Sequence, residues 1–164
     1  MRSLANPNYK TAIKRGGISA PLKWIESFEG SSLANAGQTR GIRILDYGCG
    51  RGEDAEYLGA DKYDPYWYPE EPSGVYDIIF CTYVLNVVDR DEQSRILQRL
   101  QELVNPQGCV IYVTVRRDVP ILEPLIRDGY SQYYVLTGDM RQHGFHSLYL
   151  KKKNYEIFTR IEGS

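Results

Sequence analysis

The sequence contains no run of about 18 apolar residues, so none of it reads as a membrane span. Its opening stretch, Met1–Pro7, lacks the apolar core of a secretory leader, and the expected location is cytoplasmic. Cysteine is scarce: Cys49, Cys81 and Cys109 are odd in number, far apart and free of any CxxC spacing. That excludes a disulfide framework and leaves reduced thiols. The two histidines, His143 and His146, are not paired with a cysteine at ligand spacing, so no metal site is expected. No internal repeat is visible. Hydrophobic residues make up 42% and charged residues 25% of the chain, which excludes disordered and fibrous classes. At 164 residues it suits a single domain with a substantial core.

Net charge is only −1, but the charges are unevenly placed. Residues 1–43 carry seven Lys/Arg against two Asp/Glu, residues 44–92 three against twelve, and residues 93–164 ten against seven. An acidic middle lies between basic ends, a pattern that fits either an anionic substrate such as nucleic acid or plain solubility.

Several segments carry readable periodicity. Pro21 opens a helix in which Leu22, Trp24, Ile25 and Phe28 recur at helical spacing, and Gly30 ends it. Residues 31–41, rich in Ser, Gly, Asn and Ala, read as a loop. The expected organisation is a basic segment and helix over residues 1–41, packed on a core formed by residues 42–164. Ile42–Tyr47 reads as a strand, Gly48–Gly52 as a glycine turn and Glu53–Gly59 as a helix. Lys62–Asp64 ends a brief second strand at Pro65, because proline cannot continue a central strand. Val75–Cys81 has the continuous apolar character of a strand buried on both faces. A helix over Asp89–Val104 follows, capped by Asp89 or Asp91, and then a strand over Cys109–Val115. Phe145–Leu150 and Tyr155–Ile161 pair as a hairpin through Lys151–Asn154. Strands alternating with helices predict an α/β fold, a mostly parallel sheet with a C-terminal antiparallel hairpin.

In such a sheet the ligand crevice lies beyond the carboxyl ends of the strands, where the order of strands reverses. The glycine turn sits there, and Gly48, Gly50 and Gly52 let a ligand approach the backbone. Asp46 precedes the turn by two residues and Asp64 ends the second strand. A carboxylate at the latter position accepts both hydroxyls of a ribose. An aspartate beside the turn would repel a pyrophosphate but suits the ammonium and sulfonium of S-adenosylmethionine (SAM). A dinucleotide site would show GxGxxG and an acidic residue about twenty positions on; here the pattern is GxGxG and Asp64 follows Gly52 by twelve. SAM is therefore the expected cofactor, with a nicotinamide dinucleotide as the weaker alternative.

Ile44–Gly52 resembles motif I of class I SAM-dependent methyltransferases, and Asp77–Cys81 resembles their fourth-strand motif. Together the similar segments extend over about residues 42–115. More narrowly, Lys10–Ile13, Tyr63–Tyr66 and Tyr83–Val88 are similar to a bacterial and phage group that includes DNA phosphorothioation-associated methyltransferases. The resemblance implies a Rossmann-like methyltransferase sheet and a SAM site at Asp46, Tyr47, Gly48, Cys49, Gly50, Asp64, Pro65, Tyr66 and Tyr83. One departure is plain: only Pro65–Val75 separates the second-strand acid from the fourth-strand motif, so the third strand is shortened or missing. Adenine would then rest on Tyr66, Trp67 or Tyr68, or near Cys81–Tyr83.

On the acceptor side, Tyr83 and Asn86 follow the fourth-strand motif, and Asn86 is read either as a contact to the methyl acceptor or as a turn-satisfying amide. Arg116 and Arg117 leave the next strand at the ligand end; they either clamp an anionic acceptor or pair with Asp118 or Glu123. Asp77 reads as a cap at its strand's start. Lys10, Lys14 and Arg15 are read as a lid, an anion contact or solvated charge, and Lys151–Lys153 as a simple turn. The sequence holds neither the Asn/Asp-Pro-Pro-aromatic motif of amino-methylating DNA enzymes nor the Pro-Cys nucleophile of cytosine methylation. The expectation is a SAM-dependent methyltransferase whose acceptor is unidentified, a nucleic acid or another anionic substrate. An inactive SAM-binding module in a nucleic-acid modification or defence system is the alternative, and a monomer or homodimer is expected.

Overall fold

The computed structural model describes residues 16–121, 125–127 and 130–162. Lys10–Ile13, Lys14, Arg15 and Glu123, singled out in the sequence, lie outside the described residues. Six strands form one sheet in the order β2-β1-β3-β4-β8-β7. β1 (Ile44–Tyr47), β2 (Asp61–Tyr63), β3 (Ile78–Thr82) and β4 (Cys109–Arg116) run parallel. β8 (Tyr155–Glu162) is antiparallel to β4, and β7 (His146–Lys151) to β8, which is the expected terminal hairpin. A separate two-stranded ribbon, β5 (Leu125–Arg127) and β6 (Tyr130–Gln132), and helix α5 (Thr137–Gln142) have no counterpart in the sequence reading. Both are short, and their apolar residues follow no clear period.

β1 leads to β2 on one side and β3 pairs with β1 on the other, so the order reverses between β1 and β3. Among the described residues no strand lies between β2 and β3, and β2 is the sheet edge. The missing third strand is thus a feature of the fold. The expected strand at Val75–Cys81 begins later, at Ile78, because Tyr76 bridges to Val104 instead of joining the sheet.

Two clusters of buried side chains cover the two faces of the sheet. α4 (Arg90–Glu102) sets Ile96, Leu97 and Leu100 against Leu45, Ile79, Ile111 and Val113, and Met140 of α5 joins them. On the other face α1 (Ala20–Glu29), α2 (Ala36–Thr39) and α3 (Glu53–Leu58) bring Leu22, Ile25, Ala36 and Leu58 onto Ile44, Phe80, Tyr112 and Ile157. The split follows the period of two: in β4, odd-numbered Ile111 and Val113 meet α4, and even-numbered Tyr112 meets α1. Each such aliphatic side chain contributes about 1.5–3 kcal/mol by leaving water.

Helix boundaries have local causes. Ser19 caps α1 by accepting from the Leu22 N–H, Pro21 stands in the first turn, and Gly30 closes the helix at φ 74°. Asp89, not Asp91, caps α4 through the Glu92 N–H. α2 occupies part of the expected loop, where Gly37 permits contact that a side chain would forbid: a Cβ there would lie 1.9 Å from the Gly59 carbonyl oxygen.

Candidate functional site

The glycine turn folds over the end of β2. The N–H groups of Gly48 and Cys49 both donate to the Tyr63 carbonyl, at 2.6 and 2.9 Å. The next N–H, of Gly50, donates to Asp64 Oδ2 at 3.1 Å. Gly48, Gly50 and Gly52 have φ of 81°, 57° and 89°, the left-handed region where glycine pays no Cβ penalty. Space also matters at the first, since a Cβ on Gly48 would stand 2.3 Å from a methyl of Val84.

Asp64 does a second task. Its other oxygen, Oδ1, accepts from the N–H groups of Tyr66 and Trp67 at 2.9 and 3.0 Å, while the Asp64 and Tyr68 backbones exchange two hydrogen bonds at 3.0 Å. Pro65 stands just after Asp64 in this tight loop, where its fixed φ suits a turn. The loop follows β2 at the sheet edge and presents Tyr66 and Trp67, 47% and 36% exposed, beside the glycine turn. Their rings meet edge to face at 5.1 Å, and the Arg51 guanidinium lies 5.0 Å from the Trp67 ring centre. A carboxylate has room for about four hydrogen bonds, so Asp64 can organise the loop and still accept from a ligand hydroxyl.

Asp46 is buried within β1. Its charge is registered at Cys49: burial pushes that thiol's pKa up, and the carboxylates of Asp46 and then Asp64 push it further. Two aspartates therefore bias the centre of the glycine turn towards negative potential, the opposite of a pyrophosphate cradle. Tyr47, named with the turn, packs its ring 4.7 Å from that of Tyr63 in the core, and burial raises its phenol. It has only backbone to offer a ligand.

A model of the methyltransferase-domain family matches residues 23–150. The chain belongs to this family. A comparison with curated proteins finds no match. Among solved structures the methyltransferase is similar to a Burkholderia thailandensis 1,6-didemethyltoxoflavin-N1-methyltransferase with bound 1,6-didemethyltoxoflavin and S-adenosylhomocysteine. The TM-score is 0.60 at 16% identity, covering 88% of this chain and 78% of that one. It is also similar to the SAM-bound magnesium protoporphyrin IX methyltransferase of Synechocystis PCC 6803, with TM-score 0.56 at 14% identity over 98% and 92% of the two chains. At these identities the likeness speaks for the Rossmann-like fold.

On the acceptor side two of the residues named in the sequence turn inward. Asn86 does not line the mouth of the site. It is fully buried, its Oδ1 accepts from the Arg116 N–H at 2.6 Å, and its Nδ2 donates to the Tyr133 carbonyl at 2.8 Å. Arg117 is likewise no open clamp: it is buried, ion-paired with Glu156 at 2.8 Å, and donates to the Val135 carbonyl at 2.6 Å. Both side chains face inward because Tyr133 and Val135, between β6 and α5, and Thr137 at the start of α5 supply their partners, a segment the sequence pattern did not mark. Tyr83 and Arg116 stay at the mouth. Tyr83 leaves β3 with φ 60°, an unusual angle for a bulky residue, and its N–H donates to the Thr114 carbonyl at 2.9 Å. Arg116, paired with Asp118, lies 5.6 Å from the Tyr83 ring centre. Asp77 is the expected cap, accepting from the Arg43 N–H at 2.8 Å and from Asn105 at 3.0 Å.

Sequence reasoning missed Val84, whose methyl fills the space a side chain at 48 would take; only its position just after β3 could have signalled it. Among the described residues no group of His, Cys, Asp and Glu is placed to hold a metal ion, and no helix is long and apolar enough to cross a membrane.

Proposed function

We propose that this methyltransferase binds SAM across the Gly48–Gly52 turn and transfers its methyl group to an anionic acceptor that approaches over Tyr83 and Arg116. One observation carries the cofactor reading: the glycine turn is flanked by two carboxylates, Asp64 bonded to the Gly50 N–H at 3.1 Å and Asp46 buried in β1 two residues before the turn. Such a site favours a ligand with an ammonium and a sulfonium over a pyrophosphate. In this reading Asp64, with one acceptor position left beyond the Gly50, Tyr66 and Trp67 N–H groups, takes a ribose hydroxyl, Asp46 faces the ammonium side, and the turn's bare backbone lets the methionine part lie close. Tyr66 and Trp67, with Pro65 setting the loop, provide the edge for adenine that a third strand would otherwise supply.

The cofactor supplies an electrophilic methyl, so the chain's part is positional. Tyr83, held at a strained angle at the exit of β3, fixes one wall along which the acceptor's nucleophile lines up. Arg116 is ion-paired with Asp118 there and keeps guanidinium hydrogens unused by that pair, which suit an acceptor bearing negative charge, a small molecule or a nucleic acid. Asn86 and Arg117 act behind this surface as positioning residues. The alternative of an inactive module drew on the missing third strand, and the Asp64–Tyr68 loop supplies a substitute for it. The narrower likeness to phosphorothioation-associated methyltransferases rests on Lys10–Ile13, Tyr63–Tyr66 and Tyr83–Val88 alone.

Calorimetric titration with SAM and S-adenosylhomocysteine tests the reading. We expect micromolar binding, weakened about 30-fold or more in Asp64→Ala, which loses hydroxyl acceptors and loop together. Absence of binding at millimolar concentration, or equal binding by NAD, would remove it.

A further inference from the structure

The hairpin turn at Lys151–Asn154 reads in sequence as a mere connection, yet the fold carries it to the acceptor mouth. β4 points its carboxyl end at the crevice, its last residue Arg116 pairs with Tyr155, and Tyr155 pairs with Lys151. The Arg117 N–H donates to the Asn154 carbonyl at 2.8 Å, fixing the turn beside the end of β4. Lys151, Lys152 and Lys153 are all exposed there. They continue a row of rings and cations: Arg116 over Tyr83, Tyr83 edge-on to Tyr155 at 6.5 Å between centres, and Lys151 Nζ 6.0 Å from the centre of the Tyr155 ring.

Among the described residues the charges of this corner do not cancel. Of its carboxylates, Asp118 is taken by Arg116 and Glu156 by Arg117. Among the described residues no ion pair engages the three lysines. Lys153, moreover, sits at φ 61°, a position where glycine or asparagine is the usual occupant of a short hairpin turn. Three adjacent ammonium groups repel one another, and one occupies strained backbone. A passive turn requires neither.

We propose that Lys151, Lys152 and Lys153 form a recognition site for a phosphate group on the methyl acceptor. This rests on the reading that the acceptor enters over Tyr83 and Arg116, and it specifies the anion. Three point charges around one turn match a multiply charged phosphate better than a single carboxylate, and lysine serves such groups without needing a fixed fork geometry. The phosphate belongs either to a small molecule or to a nucleic-acid backbone; recognition at the turn is the same.

The test is calorimetric titration of the full chain with inorganic pyrophosphate, with acetate and with a thymidine decamer, each with and without saturating S-adenosylhomocysteine. Pyrophosphate should bind, acetate should not, and the triple change K151Q/K152Q/K153Q should weaken pyrophosphate about tenfold or more while S-adenosylhomocysteine affinity stays within about twofold. A decamer that outcompetes pyrophosphate in a lysine-dependent way assigns the phosphate to nucleic acid; one that does not assigns it to a small molecule. Lys153→Gly separates binding from folding. It relieves the left-handed strain and should raise Tm, while pyrophosphate binding falls. Equal pyrophosphate affinity in wild type and triple variant, or acetate binding as tightly, overturns the proposal. Loss of S-adenosylhomocysteine binding in the wild type instead defeats the cofactor reading, and the titrations without it still read out the lysines.

Discussion

The carboxylate of Asp54 holds Ser19 by two hydrogen bonds, accepting its backbone N–H at 2.8 Å and its hydroxyl at 2.6 Å. Ser19 caps α1, and Asp54 stands in the first turn of α3, directly after the glycine turn. Both residues are buried, so the N-terminal helix and the cofactor loop share one polar lock. Asp54→Ala leaves two buried donors without an acceptor and should cost about 2–4 kcal/mol, a fall in Tm of roughly 5–12 °C. Ser19→Ala should cost about 1 kcal/mol. Thermal unfolding measures both, and an Asp54→Ala protein as stable as wild type would show the lock to be incidental.

At Gly48 two penalties coincide. A side chain there meets φ 81° and a Val84 methyl at 2.3 Å. Gly48→Ala is expected to lose about 2–4 kcal/mol and most cofactor affinity. Adding Val84→Ala should return the steric part alone, about 1 kcal/mol of coupling in a double-mutant cycle.

Asn86 joins three segments, with Arg116 and Tyr133 bound to its side chain and the Tyr133 N–H donating to its carbonyl at 2.7 Å. Replacing it by alanine should destabilise by about 2–3 kcal/mol and speed hydrogen exchange at the Arg116 and Tyr133 amides. S-adenosylhomocysteine affinity should change by less than about threefold. A direct role in cofactor binding would instead show as a larger loss of affinity with stability preserved.

The thiols set an alkaline limit. Burial raises Cys49, with Asp46 and Asp64 adding to it, and burial raises Cys109 to about 11 from an ordinary 9.0. The unfolded chain therefore releases these protons first. The stabilisation is fully present below pH 9 and is lost progressively as pH rises through the folded values. Urea unfolding at pH 7.5, 9 and 10.5 should show stability falling only across the upper interval, less steeply in Cys109→Ala. At pH 8 the native protein should resist iodoacetamide at Cys49.

The strands of the six-stranded sheet, α1, α4 and the terminal hairpin were legible because each carries a period of two or 3.6 or a recognisable cap or stop, as at Pro21, Gly30, Pro65 and Asp89. For Asp64 the position after β2, next to the glycine turn, was legible. Its second task, gathering the N–H groups of Gly50, Tyr66 and Trp67, was not. For Asn86 and Arg117 the sequence left two readings open, a contact to the acceptor or a local polar partner, and nothing local announced the Tyr133 and Glu156 contacts that turn them inward.

By itself the sequence determined the parallel sheet, the glycine turn, the acidic flank at Asp46 and Asp64 and the lack of a third strand. These depend on residues a few positions apart, whose steric and hydrogen-bonding preferences act locally. Only the tertiary structure decided which polar side chains are sealed by later segments, and that three lysines from a distant turn stand beside the end of β4. Burial and proximity are set by packing between segments tens of residues apart, and no local pattern encodes that.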